Sequence, residues 1–205
     1  MRVKPTPVFF LFTILLVQFS LPGAAYSVAI GMPESTLKVG YGVGMGRLSI
    51  EDPDGASASE NGVQPFRVIV ADWLRGDIRY WGELFFQSAT LSASQMNIGQ
   101  TVGQYGVQLS AQKNLKVGGH WYPWLGVGVD LSRVSYSRRH TIDSDGFLQN
   151  RFSDRNEIDL GIIVNLISET ELNRDWDVGA KLEQRFSLSG GIKQLSLSLF
   201  LLSHF

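Results

Sequence analysis

The chain has 205 residues and carries 18 Lys and Arg against 19 Asp and Glu, so its formal net charge is −1 and it offers no broad basic field for nucleic acid. A hydrophobic content of 44% argues against a disordered chain, and the absence of Cys excludes disulfide scaffolds, thiolate metal sites, Cys nucleophiles and an acylated N-terminal Cys. The charged fraction of 18% falls below the roughly 25% usual in soluble domains, while 22 Gly exceed the usual ~7% share.

Residues 1–27 read as a secretory signal peptide. Arg2 and Lys4 supply the basic start, 8–17 the apolar run, and Gly23, Ala24, Ala25 and Ser27 the small residues of a cleavage site. Gln18 and Pro22 stop the run short of the ~20 apolar residues that a membrane helix needs. The sequence is compatible with cleavage after Ala25 or after Ser27. The second choice removes two basic residues, takes the charge from −1 to −3 and leaves 28–205 as one domain. Nothing later approaches 18 consecutive apolar positions, so the exported part is either a soluble β-protein or a membrane β-barrel.

From Leu37 onward the pattern has a period of two. Leu37, Val39, Tyr41, Val43 and Met45 alternate with Lys38, Gly40, Gly42, Gly44 and Gly46. The glycine spacing is strictly two and not that of a phosphate loop, so it reads as a strand lining a crowded interior. A short second strand covers 66–71, apolar except for Arg67. The third, 78–89, sets Ile78, Tyr80, Leu84 and Phe86 against Arg79, Trp81, Glu83, Phe85 and Gln87. The fourth, 103–112, alternates Tyr105, Val107, Leu109 and Ala111 with Gln104, Gln108 and Gln112. Leu125–Val127–Val129–Leu131, Ile158–Leu160–Ile162–Val164–Leu166, and Trp176–Val178–Ala180–Leu182–Phe186 give three more, and 194–205 the eighth. No comparable 3.6-residue pattern occurs.

Alternation alone suits a soluble β-sandwich or lipocalin-like binder as well as a barrel in lipid. Three features favour lipid outside. The polar parity combines Gly with oppositely charged long side chains, as a narrow lumen needs. Tyr41, Trp73, Tyr80, Trp121, Trp176 and Phe186 fall near strand ends, where interfacial girdles form. Long polar connections at 51–64, 90–101 and 137–155 alternate with shorter ones at 72–77, 113–120 and 167–175, although 187–191 is also short.

The chain ends KQLSLSLFLLSHF, placing Leu195, Leu197, Leu199, Leu201, Ser203 and Phe205 on one parity. This resembles the terminal strand of bacterial outer-membrane proteins, and the resemblance implies that Leu197, Leu199, Leu201 and Phe205 form the C-terminal signal read by the barrel-assembly machinery, after escort by periplasmic chaperones. Tyr122-Pro123-Trp124-Leu125-Gly126-Val127-Gly128 is similar to the opening of a middle strand in small outer-membrane barrels of the OmpA/OmpX-like superfamily. The resemblance implies an all-β, eight-stranded antiparallel up-and-down transmembrane β-barrel in the outer membrane of a Gram-negative-type bacterium, with role left open.

Eight strands of 9–11 residues take roughly 70–90 residues, and an eight-stranded barrel has a bore just wide enough for side chains. Glu83, Asp130, Asp159, Lys181, Glu183 and Arg185 are therefore expected to form an interior ionic network, because an unpaired interior charge costs several kcal/mol. An ion path through a narrow pore is the alternative. In the 137–155 loop, Arg138, Arg139, Arg151 and Arg155 are candidate contacts for lipopolysaccharide phosphates. Ser137, His140, Asp143, Ser144 and Asp145 offer the side-chain types of an acyl-transfer site, the basis of an alternative reading as a lipid A-modifying enzyme. His120, His140 and His204 lack metal-ligand spacing, and the acidic 51–60 segment (Glu51, Asp52, Asp54, Glu60) lacks that of a calcium loop. The expected protein is a non-enzymatic monomer without cofactors, acting in envelope integrity, adhesion or surface interaction. Outer-membrane lipid and lipopolysaccharide are its expected partners.

Overall fold

A computed structural model describes residues 37–52, 54, 58–74, 78–115, 122–188 and 192–204. The signal peptide, His120, Trp121 and Phe205 lie outside the described residues. Among the described residues nine strands follow in chain order: β1 (Lys38–Ile50), β2 (Ala58–Leu74), β3 (Ile78–Leu91), β4 (Gly99–Asn114), β5 (Trp124–Ile142), the four-residue β6 (Leu148–Arg151), β7 (Arg155–Asn173), β8 (Trp176–Ser187) and β9 (Ile192–His204). Eight of them form a ring in the order β1-β2-β3-β4-β5-β7-β8-β9. Each neighbour pair is antiparallel, and β9 returns to β1 from Lys38↔His204 to Ile50↔Ile192. Closure leaves the eight barrel strands no edge along the shared ladder.

The parity read from the sequence is the parity of the wall. Tyr41, Val43, Met45, Leu84, Phe86, Val107, Leu109, Val127, Val129, Leu131, Ile162, Val164, Leu182, Leu195 and Leu199 are exposed on the outside, while Arg79, Glu83, Gln108, Asp130, Asp159, Lys181, Glu183 and Arg185 are buried within. A soluble sandwich or lipocalin would show the reverse. An apolar belt around a polar, filled bore is the arrangement that lipid selects.

Two bulges change the parity along a strand. β2 holds one extra residue against both neighbours, between Gly42↔Arg67 and Gly44↔Gln64 on β1 and between Val63↔Ser88 and Phe66↔Phe86 on β3. Pro65, which has no N–H to give to a ladder, sits in this bulge. The second lies in β5, where Thr101↔Ser137 is followed by Gly99↔His140. Arg138 occupies it with φ of 58°. Inside the wall, Gly128 lets β4 approach closely, since a Cβ there would stand 2.1 Å from the Leu109 carbonyl oxygen.

The connections are tighter than the sequence suggests. β2 begins at Ala58 and β4 at Gly99, so the first two outer loops shrink to 51–57 and 92–98. The segment expected as a long polar loop, 137–155, is largely strand. β5 continues to Ile142, turns through Gly146 (φ 85°) and returns as β6, which pairs His140↔Arg151 and Thr141↔Asn150. At the opposite end β7 runs on to Asn173, and Arg174 and Asp175 make a two-residue turn into β8.

Candidate functional site

The bore is organised in layers. At mid-height, Arg67 pairs with Glu83, and its Nη2 stands 3.4 Å from Glu183 Oε1. Lys181 Nζ joins the same two carboxylates, 2.7 Å from Glu83 Oε1 and 2.6 Å from Glu183 Oε2. Gln108 Nε2 donates to Glu183, and Trp81 Nε1 to Glu83. Beside this group, Arg185 donates from Nε to both oxygens of Asp130 at 2.9 Å and from Nη2 to Asp159 Oδ2 at 2.7 Å. The six residues expected as an interior network thus lie together in two adjoining groups. Arg67 completes the first; it reads in sequence as the single charge of a short strand, with nothing to assign it to the interior.

At the end of the barrel where β1 begins and β9 finishes lies a further charged group that the sequence left unassigned. Lys38 Nζ is 2.5 Å from Asp177 Oδ2 and 3.8 Å from Glu169 Oε1, and His204 Nε2 is 2.8 Å from Asp177. Arg79 donates from Nη1 to Glu169 at 2.7 Å and from Nε to Gln112 Oε1 at 2.7 Å. Its guanidinium lies 4.8 Å from the Trp81 ring centre and 4.3 Å from that of Trp124, a desolvated cation–π arrangement of about 2 kcal/mol. Its position on the inward parity of β3 was the available signal.

Apolar clusters flank the mid-height ions on both sides. Leu48, Ile50, Ala89, Leu91, Val102, Val134, Tyr136 and Ile192 form one cluster toward the loop end. Ile69, Ala71, Trp81, Trp124, Ile167, Phe200 and Leu202 form the other toward the start of β1, with Trp81 and Phe200 edge-to-face at 5.2 Å. Each cluster spans the bore, because β1 and β5 face each other across the ring, as do β2 and β7. Between them, beside Gly46, Gly62 and the amides of Gln87, Gln104 and Gln194, is a cavity of about 10 Å³, room for one water molecule.

At the loop end the structure corrects the sequence reading of Arg139. The bulge at Arg138 shifts the parity by one residue, so Arg139 turns inward and is buried. Its Nη2 donates to Asp52 Oδ1 at 2.8 Å and Asp54 Oδ2 at 2.7 Å, Nη1 to the Ser153 carbonyl, and Nε to Gln100. It is no longer available to a lipopolysaccharide phosphate. The acidic 51–60 segment, which contains no base of its own, is answered by this Arg and by Lys193, 3.2 Å from Glu51. Burial opposes ionisation of Asp52, yet the Asp54 backbone N–H, Arg139 and Gln100 together hold its carboxyl below the ordinary value near 3.8. Stability from this clasp is therefore present above that value and lost as pH falls through the lowered one. The Phe152 amide, which donates to the Arg139 carbonyl, reports on it. Its hydrogen exchange should rise below about pH 4 in the native protein, and about tenfold at neutral pH in Asp52→Asn, the low end for a hydrogen bond to a charged group.

The other three arginines stay at the rim. Arg138 and Arg151 are exposed, and Arg155 is half-buried with its Nη2 2.5 Å from Glu157 Oε2. The Ser/His/Asp side chains do not converge on one another. Ser137 Oγ donates to the Thr101 carbonyl, His140 Nδ1 meets the Arg138 carbonyl at 2.7 Å, and Asp143 accepts from the Asp145 and Phe147 amides. Among the described residues no group of His, Asp and Glu is placed to hold a metal ion. On the terminal strand, Leu199 is exposed and Leu197 and Leu201 half-buried, all on the outward parity.

No protein-family model matches the chain, and no curated protein matches it in sequence. Solved structures do match. Neisserial surface protein A aligns with 84% of this chain and 100% of its own at 14% identity and a TM-score of 0.56. The attachment invasion locus protein Ail of Yersinia pestis, in complex with the heparin analogue sucrose octasulfate, aligns over 84% and 100% at 13% identity and 0.49. The N-terminal β-barrel domain of Pseudomonas aeruginosa OprF does so over 84% and 100% at 10% and 0.47. At such identities the likeness bears on fold. Together with the closed ring of eight strands and the outward apolar belt, it identifies the chain as a small eight-stranded β-barrel of the bacterial outer-membrane type.

Proposed function

We propose that the protein is a sealed, non-enzymatic outer-membrane barrel that works through its loop-end surface, in adhesion or other surface interaction and in envelope integrity. The observation that carries this reading is the pair of apolar layers spanning the bore on either side of the ions. An ion crossing the barrel would have to pass both apolar clusters, at a cost of several kcal/mol where it loses its hydration. The charges between them then act as internal struts, and the surfaces left for function are the belt and the loops. A catalytic reading finds no support in the separate partners of Ser137, His140 and Asp143.

Contact with lipopolysaccharide is part of this proposal, with Arg138, Arg151 and Arg155 as the remaining guanidinium groups at the rim. Recognition by the barrel-assembly machinery would use Leu197, Leu199, Leu201 and Phe205. The purified barrel in planar bilayers should give no resolved single-channel steps. Overproduction should leave lipid A acylation unchanged, and His140→Ala should make no difference. Steady conductance that shifts in Lys181→Gln or Glu183→Gln would overturn the sealed bore, and lipid A whose acylation changes only with His140 intact would restore the enzyme.

A further inference from the structure

The side chains at the mouth of the barrel continue the inward parity of three strands by one step. Asp52 follows Leu48 and Ile50 of β1, and Gln100 precedes Val102 of β4. Arg139 is the first inward residue of β5 after Tyr136, beyond the bulge at Arg138. Ile50, Val102 and Tyr136 belong to the upper apolar cluster, so Asp52, Gln100 and Arg139 form the layer directly above it. β1 and β5 lie opposite each other in the ring. The contact of Arg139 with Asp52 therefore crosses the mouth. Gln100 ties both ends of it, donating from Nε2 to Asp52 Oδ2 at 3.1 Å and accepting from Arg139 Nε at 3.3 Å.

The same guanidinium holds the hairpin. Nη1 donates to the Ser153 carbonyl at 2.9 Å, and the guanidinium carbon lies 5.7 Å from the Phe152 ring centre. One buried cation thus joins the end of β1, the start of β4 and the return limb of the hairpin. Among the described residues the carboxylates that compensate it are Asp52 and Asp54. The other charged groups of the loop end are engaged elsewhere. Glu51 pairs with Lys193 of β9, and Arg155 of β7 with Glu157, which also accepts from Tyr136. Asp154 accepts the Arg138 amide, His140 Nδ1 meets the Arg138 carbonyl, and Glu60 of β2 accepts from Ser92. If the two carboxylates lose their charge, Arg139 is left buried among neutral acceptors, a state that draws water inward. Against the burial that opposes it, the Asp54 N–H, Arg139 and Gln100 keep Asp52 ionised to below the ordinary value near 3.8. The layer is therefore intact at neutral pH and fails as pH drops through the lowered value.

We propose that Asp52, Asp54 and Arg139 form an acid-released latch across the mouth of the barrel, whose protonation frees the β5–β6 hairpin from the end of β1 and uncovers the upper apolar cluster to water. As a control on what the loop end presents, the latch rests on the surface-interaction reading; the opening itself does not depend on it. The wall stays closed because its ladders do not need these side chains. The pairing of β1 with β9 ends at Ile50↔Ile192 and that of β5 with β7 at Tyr136↔Arg155, both just below the latch.

The test uses the full-length mature barrel in lipid nanodiscs, with NMR at about pH 7 and about pH 3, on either side of the carboxylate range. Relaxation imposed by a water-soluble nitroxide on the methyls of Ile50, Val102, Val134 and Ile192 reads the upper cluster. Amide protection, corrected for the intrinsic effect of pH on exchange, reads the hairpin at Phe152 and the wall at Val129 and Ile162. Acid should raise the methyl relaxation severalfold and lower the Phe152 protection about tenfold, reversibly, with Val129 and Ile162 unchanged. Asp52→Asn/Asp54→Asn should show the open state already at neutral pH and respond no further to acid. Arg139→Gln, which removes the strut from the other side, should also be open at both values. Glu51→Gln, at the exposed pair with Lys193, should keep the native response. Methyls that stay shielded in acid, an acid response that persists in the double variant, or wall amides that lose protection together with Phe152 would each overturn the latch. Conductance of the native barrel at neutral pH tests the sealed bore, and attachment of cells bearing it tests the surface-interaction reading, so failure of either is distinguishable from failure of the latch.

Discussion

Replacing Arg185 by Met should destabilise the barrel by about 3–5 kcal/mol, the usual consequence of removing one member of a buried ion group. Arg185 is the shared cation of Asp130 and Asp159, holding the first through Nε and the second through Nη2. Ser187 donates to Asp159 Oδ1 at 2.5 Å, but a hydroxyl does not neutralise a carboxylate. Without the guanidinium two buried anions face each other between apolar layers. The loss should appear as a lower urea midpoint for unfolding from detergent micelles. Converting both acids to amides as well, in Arg185→Met/Asp130→Asn/Asp159→Asn, should restore stability to within about 1–2 kcal/mol, since neutral amides carry no charge to desolvate. Lys193→Met removes a cation from the exposed pair with Glu51 and should cost under about 1 kcal/mol. If Arg185→Met were as mild as Lys193→Met, the interior would be wet enough to solvate the acids, and the sealed bore would fail with it.

Val129→Arg is expected to cost about 2–4 kcal/mol for a different reason. Val129 lies midway along the outward face of β5, between Val127 and Leu131, with Leu109 and Ile162 opposite it on the neighbouring strands. A guanidinium there must either enter the hydrocarbon or bend the bilayer toward itself. Two pairs further toward the loops, the native Arg133 already occupies the outward face, so Arg133→Leu should change stability by less than about 1 kcal/mol. Folding titrations of both variants into vesicles of defined thickness measure the contrast. Equal costs at 129 and 133 would place the membrane border elsewhere on the wall.

The fold was legible where one parity holds from end to end. In β3 and β8 every charge falls on the buried parity, with Gln87 in the one and Gly179 in the other, and the alternation shows the face directly. It was not legible across the bulges. The extra residue beside Pro65 reverses the parity of β2, so its two halves look like a loop and a short apolar strand. The extra residue at Arg138 does the same to β5, which is why Arg139 read as a rim cation when it is the bolt between the first loop and the hairpin. Partners such as Lys38, Glu169 and Asp177 were invisible for another reason. Each belongs to a different strand, and only the register of the closed ring brings them together.

The seam between β1 and β9 has a consequence for how the molecule comes into being. It joins the two ends of the strand order, Lys38 to His204 and Ile50 to Ile192, the pairing of greatest sequence separation among the described residues. The ion pairs Lys38–Asp177 and Arg67–Glu183 straddle that seam, one across β9 and the other across both β1 and β9. Neither can form until the last strand arrives. An unfinished sheet therefore has the entropy of its largest loop still to lose and carries unpaired charge on its concave face. Closing this seam removes the last edge of the barrel and completes the ionic struts in the same step.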